Sequence, residues 1–300
     1  MVTDPVRNTL YIASKGSNMV VAWDQVAQTV VATIGVDRSP WGIGYVNDRV
    51  FVASFNSANV SVIDPASRTR TKEIPLMDRF NPVQCGGAPA NISTHPFRNL
   101  AYVALYGVGR VAVIDATSNS LVGCLTTAQG TFDVAVDPYL DRLYVTNRDA
   151  FNLMVFDVST LPGTLIQTIP LSGAPFMAQA NVFNGEVYVM VAHDFPDYSS
   201  ANFLTVFTPT TTGLTLKTTA TVGNTDDGGT ILVSSFTGAI YLAATRDNAL
   251  QLIDPNTYAV LQSIPMIDPF GVAENVSLDK TYVGNRVTST VSVLPADLGP

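Results

Sequence analysis

Polar and apolar residues alternate along this chain in short runs, and the same pair of runs returns seven times. Aligned on an aromatic residue, the first run reads "LYIAS" at Tyr11, "VFVAS" at Phe51, "AYVAL" at Tyr102, "LYVTN" at Tyr144, "VYVMV" at Tyr188, "IYLAA" at Tyr241 and "TYVGN" at Tyr282. The spacings are 40, 51, 42, 44, 53 and 41 residues. Thirteen residues after the aromatic, six copies reach the end of a second run, at Asp24, Asp64, Asp115, Asp157, Asp254 and Pro295. The fifth copy reaches Thr208 only after 20 residues, so it carries an insertion. Alternation at period two is the signature of a strand, and a polar turn between two such runs makes a hairpin.

Two further runs flank each hairpin. One precedes it, as in "WGIGYV" and "FDVAVDP", and one follows, as in "TKEIPL" and "TLIQTI". Four short antiparallel strands per unit, repeated seven times, predict an all-β chain folded as a seven-bladed β-propeller. The fixed distance from aromatic to aspartate argues against a sandwich, and the period of two excludes a helical solenoid. One domain over 1–300 is expected, with blades at about 1–36, 37–76, 77–127, 128–170, 171–223, 224–265 and 266–300. Ring closure is incomplete in this sequence. Blade 1 offers only "MVTDP" for its innermost strand, and blade 7 stops at "ADLGP" before an outer one. The expectation drawn is a chain cut from a longer protein, with a three-stranded last blade as the alternative.

Composition narrows the function classes. The net charge of −8 with only four lysines argues against a duplex nucleic-acid binder, which needs basic surface to displace counterions from phosphates. Every apolar stretch is broken by Asp, Asn, Pro or Arg before it could span a bilayer, and no secretory leader is visible. Low lysine with abundant Thr, Ser and Asn favours an exported, periplasmic or cell-surface protein. Cys85 and Cys124 are the only cysteines and are either one disulfide or two buried thiols.

The fourth copy, "LYVTNRDAFNLMVFDV" after "GTFDVAVDP", resembles the repeat of the YVTN family of β-propellers of bacterial and archaeal surface and periplasmic proteins. The resemblance implies the propeller fold and such a location. Related propellers include lactonases and the lyase that opens virginiamycin B. That lyase family uses histidines and a glutamate gathered on neighbouring blades. Here Glu274 has no histidine partner in the pattern, and the chain has two histidines. His95 falls in the column of turn-capping polar residues, which leaves His193 alone, and one histidine is not a catalytic site.

Label the strands of a blade a to d from the axis outward. The d–a connections and b–c hairpins then share one face, the top, and the three longest insertions, at 77–89, 192–202 and 223–229, all fall there. Lys15, Arg148, Arg246 and Arg286 occupy near-equivalent b–c positions, joined by Arg38 and Arg79 from d–a connections; of these, Lys15, Arg79, Arg148, Arg246 and Arg286, with Trp41 and Asp149, form the candidate ligand-binding set. Nine acids share that face with six bases, so local Arg–Asp pairing within turns competes with an anion funnel. Trp41, Phe132, Phe176 and Phe270 top the inner strands, either as a stacking mouth or as wedges between blades, with Trp41 the candidate for the mouth. Asp194, Asp197, Asp226 and Asp227, beside His193, form a candidate site for Ca²⁺ or another divalent cation, although their spacing matches no defined motif. The function expected is non-catalytic binding of a protein, peptide or glycan at the top face. The alternative is a lactonase- or lyase-type enzyme using a metal held by those carboxylates.

Overall fold

The structure, a computed structural model, describes residues 1–77, 83–193, 202–225, 229–235, 237–296 and 298. Seven antiparallel sheets follow one another along the chain, six of four strands and a last one of three. Every sheet is a meander in which sequence neighbours pair, so each repeat is one blade. Two compact units divide the blades: Met1–Ile169 holds blades 1 to 4, and Pro170–Pro300 holds blades 5 to 7. Blade 1 does have an inner strand, three residues long, with Val2 opposite Tyr11 and Asp4 opposite Thr9. Blade 7 ends in its c strand, Thr290–Pro295, which is the edge of its sheet. An open groove of about 430 Å³ runs there, lined by Ile264–Ile267 of blade 6 and by Asn285, Thr290, Ser292 and Leu294 of blade 7.

Burial falls from the inner strands to the outer ones. In blade 2 the b strand Arg49–Ser54 is almost wholly buried, whereas the d strand Thr69–Pro75 exposes all but Ile74. The buried strands serve two cores at once because successive side chains point to opposite faces. Val50 and Val52 pack with blade 1 around Tyr11 and Val20. Phe51 and Ala53 pack with blade 3 around Ala101, Val103 and Leu105. On the other face of blade 3, Leu100, Tyr102 and Ala104 pack with Val134, Leu143 and Val145 of blade 4. A strand buried on both faces reads as a continuous apolar run, which is why the b strands look stickier than a half-exposed hairpin would.

The repeated aspartate caps the c–d turn. Asp64 Oδ1 accepts from the Ala66 and Ser67 amides, Asp115 from Thr117 and Ser118, and Asp254 from Asn256 and Thr257. These Asx turns satisfy amides that the tight bend would otherwise leave unpaired. Hydrogen bonds to those amides hold the Asp254 carboxyl below the usual carboxylate range. The a–b turns repeat the device with Asp4, Asp137, Asn181 and Asn275.

The repeated aromatic also joins blades. Tyr241 of blade 6 donates its hydroxyl to the Ala296 carbonyl of blade 7 at 2.7 Å, and Tyr11 of blade 1 donates to Pro65 O of blade 2 at 3.4 Å. Both carbonyls belong to the residue just after the c strand. Blade 2 has Phe51 at this position, without a hydroxyl, and there the Asn47 side-chain amide donates to the equivalent Ala116 carbonyl at 2.9 Å. Ion pairs link a–b turns of adjacent blades: Arg7 with Asp48, and Arg98 with Asp141 at 2.6 and 2.7 Å. His95, read from the pattern as the cap of its own a–b turn, instead adds a third contact to Asp141 of the next blade at 2.9 Å. Between blades 5 and 6, Glu186 accepts from Lys217, from Tyr188 at 3.0 Å and from Tyr258 at 2.8 Å.

Replacing Tyr241 by Phe removes the donor and leaves the Ala296 carbonyl unanswered in the core. Urea denaturation is expected to show a loss of about 1–3 kcal/mol, the usual cost of orphaning a buried partner. The Asp141 carboxyl is lowered to about 2, chiefly by the Arg98 guanidinium and then by His95, against some burial. Its folded pKa is depressed, so its contribution is complete above the ordinary carboxylate range and is lost as pH falls towards about 2. Asp141→Asn should flatten that part of the stability–pH curve, measured as Tm between pH 5 and 2.

Candidate functional site

The top-face aromatics owe their direction to bulges in the inner strands. In blade 4, Thr131 pairs with Asn147 and Asp133 with Thr146, so Phe132 is an extra residue with no partner across the ladder. The same skip falls at Phe176 in blade 5, at Phe270 in blade 7 and at Trp41–Gly42 in blade 2. A bulge twists the strand and re-aims its side chain, which turns each ring to the end of its strand. Gly42 is required here, because a Cβ would stand 2.3 Å from Ala90 O and 2.6 Å from Asn91 Cα of blade 3.

In unit 1 two more rings, from b–c hairpins, complete a cluster. Trp41 lies 5.7 Å from Phe55 and 6.1 Å from Phe132. Tyr106 lies 6.1 Å from Phe55, stacked, and 6.3 Å from Phe132, edge-on. These separations are those of favourable aromatic pairs. Phe132 is 3% exposed and forms the floor, while Trp41, Phe55 and Tyr106 are only partly buried and form the surface. Sequence reasoning named Trp41 and Phe132 but missed Phe55 and Tyr106. Their signal was an aromatic residue ending the b strand in two adjacent copies, "VASF" and "VALY".

Cations cap the rings. Lys15 Nζ sits 4.1 Å from the Trp41 ring centre. The Arg148 guanidinium lies 4.9 Å from the Tyr106 ring and 5.1 Å from Phe132, within cation–π range. Arg148 is 9% exposed. It donates to the Tyr106 hydroxyl at 2.7 Å and pairs with Asp149 Oδ1 at 3.1 Å, while that hydroxyl donates to Asp149 Oδ2 at 3.2 Å. Arg148, Asp149 and Tyr106 thus close a triangle at the rim. Gly130 makes it possible: its φ is +72°, the Arg148 amide donates to its carbonyl, and a Cβ would meet Asp149 Cγ at 2.5 Å.

Other expected residues fall elsewhere. Arg286 pairs in two contacts of 2.8 Å with Asp268 and lies over Phe270 at 4.9 Å, all within unit 2. Arg246 is exposed, and its neighbour Asp247 accepts from the Asn224 amide at 2.7 Å, within unit 2. Phe176 is fully buried, the wedge of the two alternatives. Arg79 and the carboxylates Asp194, Asp197, Asp226 and Asp227 lie outside the described residues. Among the described residues no group of three His, Cys, Asp or Glu side chains is placed to hold a metal. His193 Nε2 is 3.1 Å from Ser172 Oγ, with its ring on Phe203, and Glu274 accepts from Ser234 and the Ser235 amide. Cys85 and Cys124 form a disulfide, which ties the connection entering blade 3 to that blade's d strand, Ser120–Thr126.

Hydrazine synthase of Kuenenia stuttgartiensis superposes on 99% of this chain and 95% of its own with a TM-score of 0.79, at 17% identity. The fold is a seven-bladed β-propeller. No family model matches the chain. The uncharacterized protein YwhL of Bacillus subtilis is 29% identical over 194 residues, which are 62% of this chain and 39% of that protein. The chain thus spans about two fifths of that relative's length. The structural likeness carries the propeller scaffold alone, and that scaffold hosts many functions, so the site must be argued from its own residues.

Gly130→Ala forces a strained φ and pushes Asp149 away. A loss of about 1–3 kcal/mol is expected in thermal or urea unfolding, together with loss of the Arg148–Tyr106 contact in a crystal structure of the variant.

Proposed function

We propose that this propeller is a non-catalytic binding module, exported or on the cell surface, that captures a ligand on the top of unit 1. The observation that carries the reading is the surface of Trp41, Phe55 and Tyr106 over the buried Phe132. Aromatic rings left partly in water beside a fixed polar triangle offer apolar area and directional hydrogen bonds together, the composition of a recognition site. The rings sit on inner-strand bulges and b–c hairpins backed by strands buried on both faces, so little order has to be gained on binding. The Cys85–Cys124 disulfide supports an oxidising compartment, since such bonds persist outside the reducing cytosol. No helix among the described residues is long and apolar enough to cross a membrane.

The test is a calorimetric screen with oligosaccharides, peptides and single-stranded oligonucleotides. One class is expected to bind the native protein and to bind Trp41→Ala at least tenfold more weakly, with Tm lowered by only a few degrees. Mass spectrometry should recover the bound compound unchanged. Capture that ignores Trp41, or turnover of the ligand, would overturn the reading.

A further inference from the structure

We propose that the ligand class of this site is acidic carbohydrate, a uronate-bearing oligosaccharide whose ring stacks on the aromatic cluster and whose carboxylate meets the cations around it. The proposal rests on the binding-module reading and gives it a chemistry.

Three features on the same surface favour this class. Trp41, Phe55 and Tyr106 present neighbouring aromatic surface, and the C–H face of a pyranose is the weakly positive, apolar surface that an aromatic π face attracts. At the rim, the Arg148 guanidinium and the Asp149 carboxylate stand side by side, locked by the Tyr106 hydroxyl. A donor beside an acceptor, both charged, is the complement of two adjacent sugar hydroxyls, each of which donates and accepts. Finally, the local charge opposes that of the whole molecule. The chain carries −8, yet Lys15, Arg38 and Arg148 belong to the turns that frame these rings, and Arg110 opens the strand after the Tyr106 hairpin with its guanidinium on the Gln84 and Cys85 carbonyls. Against them stand Asp149 and the buried Asp133, while Asp37 is paired with Arg70 at 2.9 Å.

The acids argue against a phosphate polymer. An exposed Asp149 carboxylate inside the rim repels closely spaced phosphates but accepts from a sugar hydroxyl, and the −8 surface beyond the patch opposes nucleic acid at long range. Lys15 supplies the specificity. Its ammonium lies over the Trp41 ring at 4.1 Å, on an exposed side chain. A neutral sugar must displace it from the ring with nothing offered in return. An acidic sugar offers its carboxylate as the new partner, so Lys15 penalises the neutral ligand and rewards the charged one.

Calorimetric titrations of the full chain with trimers of galacturonate, glucuronate and mannuronate, and with their neutral methyl esters, test this. At least one acid trimer should bind at least tenfold more tightly than its ester. Trp41→Ala should abolish both interactions. Lys15→Ala, a surface change that leaves the fold intact, should weaken the acid about fivefold to tenfold and leave the ester unchanged or tighter, bringing the two within about threefold. Equal binding of acid and ester by the native protein, or no binding of any trimer, overturns the proposal. Oligo-dT and hexaglutamate serve as controls: tighter, Trp41-dependent binding of either overturns the carbohydrate assignment while leaving the binding module standing. Failure of all these compounds and of the wider screen would remove both.

Discussion

Everything in this molecule hangs on the b strand being buried on both sides. A half-buried hairpin needs one apolar face, but here Val50 and Val52 serve one core and Phe51 and Ala53 the next. The blade is therefore the wall between two cores and cannot be stable alone. Its neighbours supply the missing half of each contact, which is the logic of stacked repeats. In blades 1, 2, 3 and 6 the aromatic at the centre of the strand packs with the following blade, and in blades 1 and 6 the tyrosine hydroxyl reaches a carbonyl there. Apolar area supplies most of the cohesion, and at those two boundaries the hydrogen bond adds a directional tie.

That rigidity sets up the site. The bulges that close the inner strands cost ladder hydrogen bonds, and they are tolerated because the strands behind them are locked from both faces. They lift Trp41 and Phe132 to the strand ends, where the hairpins of blades 2, 3 and 4 bring Phe55, Tyr106 and Arg148 to meet them. No long loop is needed. Four rings, a cation over each end and a carboxylate are assembled from residues that differ little in sequence position from those of other blades.

The periodic part of this arrangement was legible in the sequence, and the reason is physical. Strand alternation, the Tyr column and the Asp turn recur because each blade solves the same packing problem, so Tyr144 and Asp157 could be assigned from their copies. Even the b–c turn of blade 4 was readable, since Arg148 and Asp149 do pair locally. What could not be read was whatever departs from the period. Phe55 and Tyr106 gain meaning only when neighbouring blades bring their rings within stacking distance. Arg286 finds its partner in Asp268, across the sheet rather than along the turn. Gly42 looks like a flexible neighbour of Trp41, but its role is to let one inner strand lie against the backbone of another.

The Asn47 joint bears on how such a chain can change over time. At the boundaries after blades 1 and 6 a tyrosine hydroxyl answers the carbonyl, whereas here an amide four residues upstream does so while Phe51 fills the tyrosine's space. The acceptor is backbone and is always present, so it asks only for some donor within reach. Each of these boundaries holds one of the two donors, so losing it costs stability, but the acceptor left behind can be answered again from the other position. Repeats joined in this way can exchange one donor for another and drift apart letter by letter, and a blade's ancestry then survives in its geometry long after it has faded from its sequence.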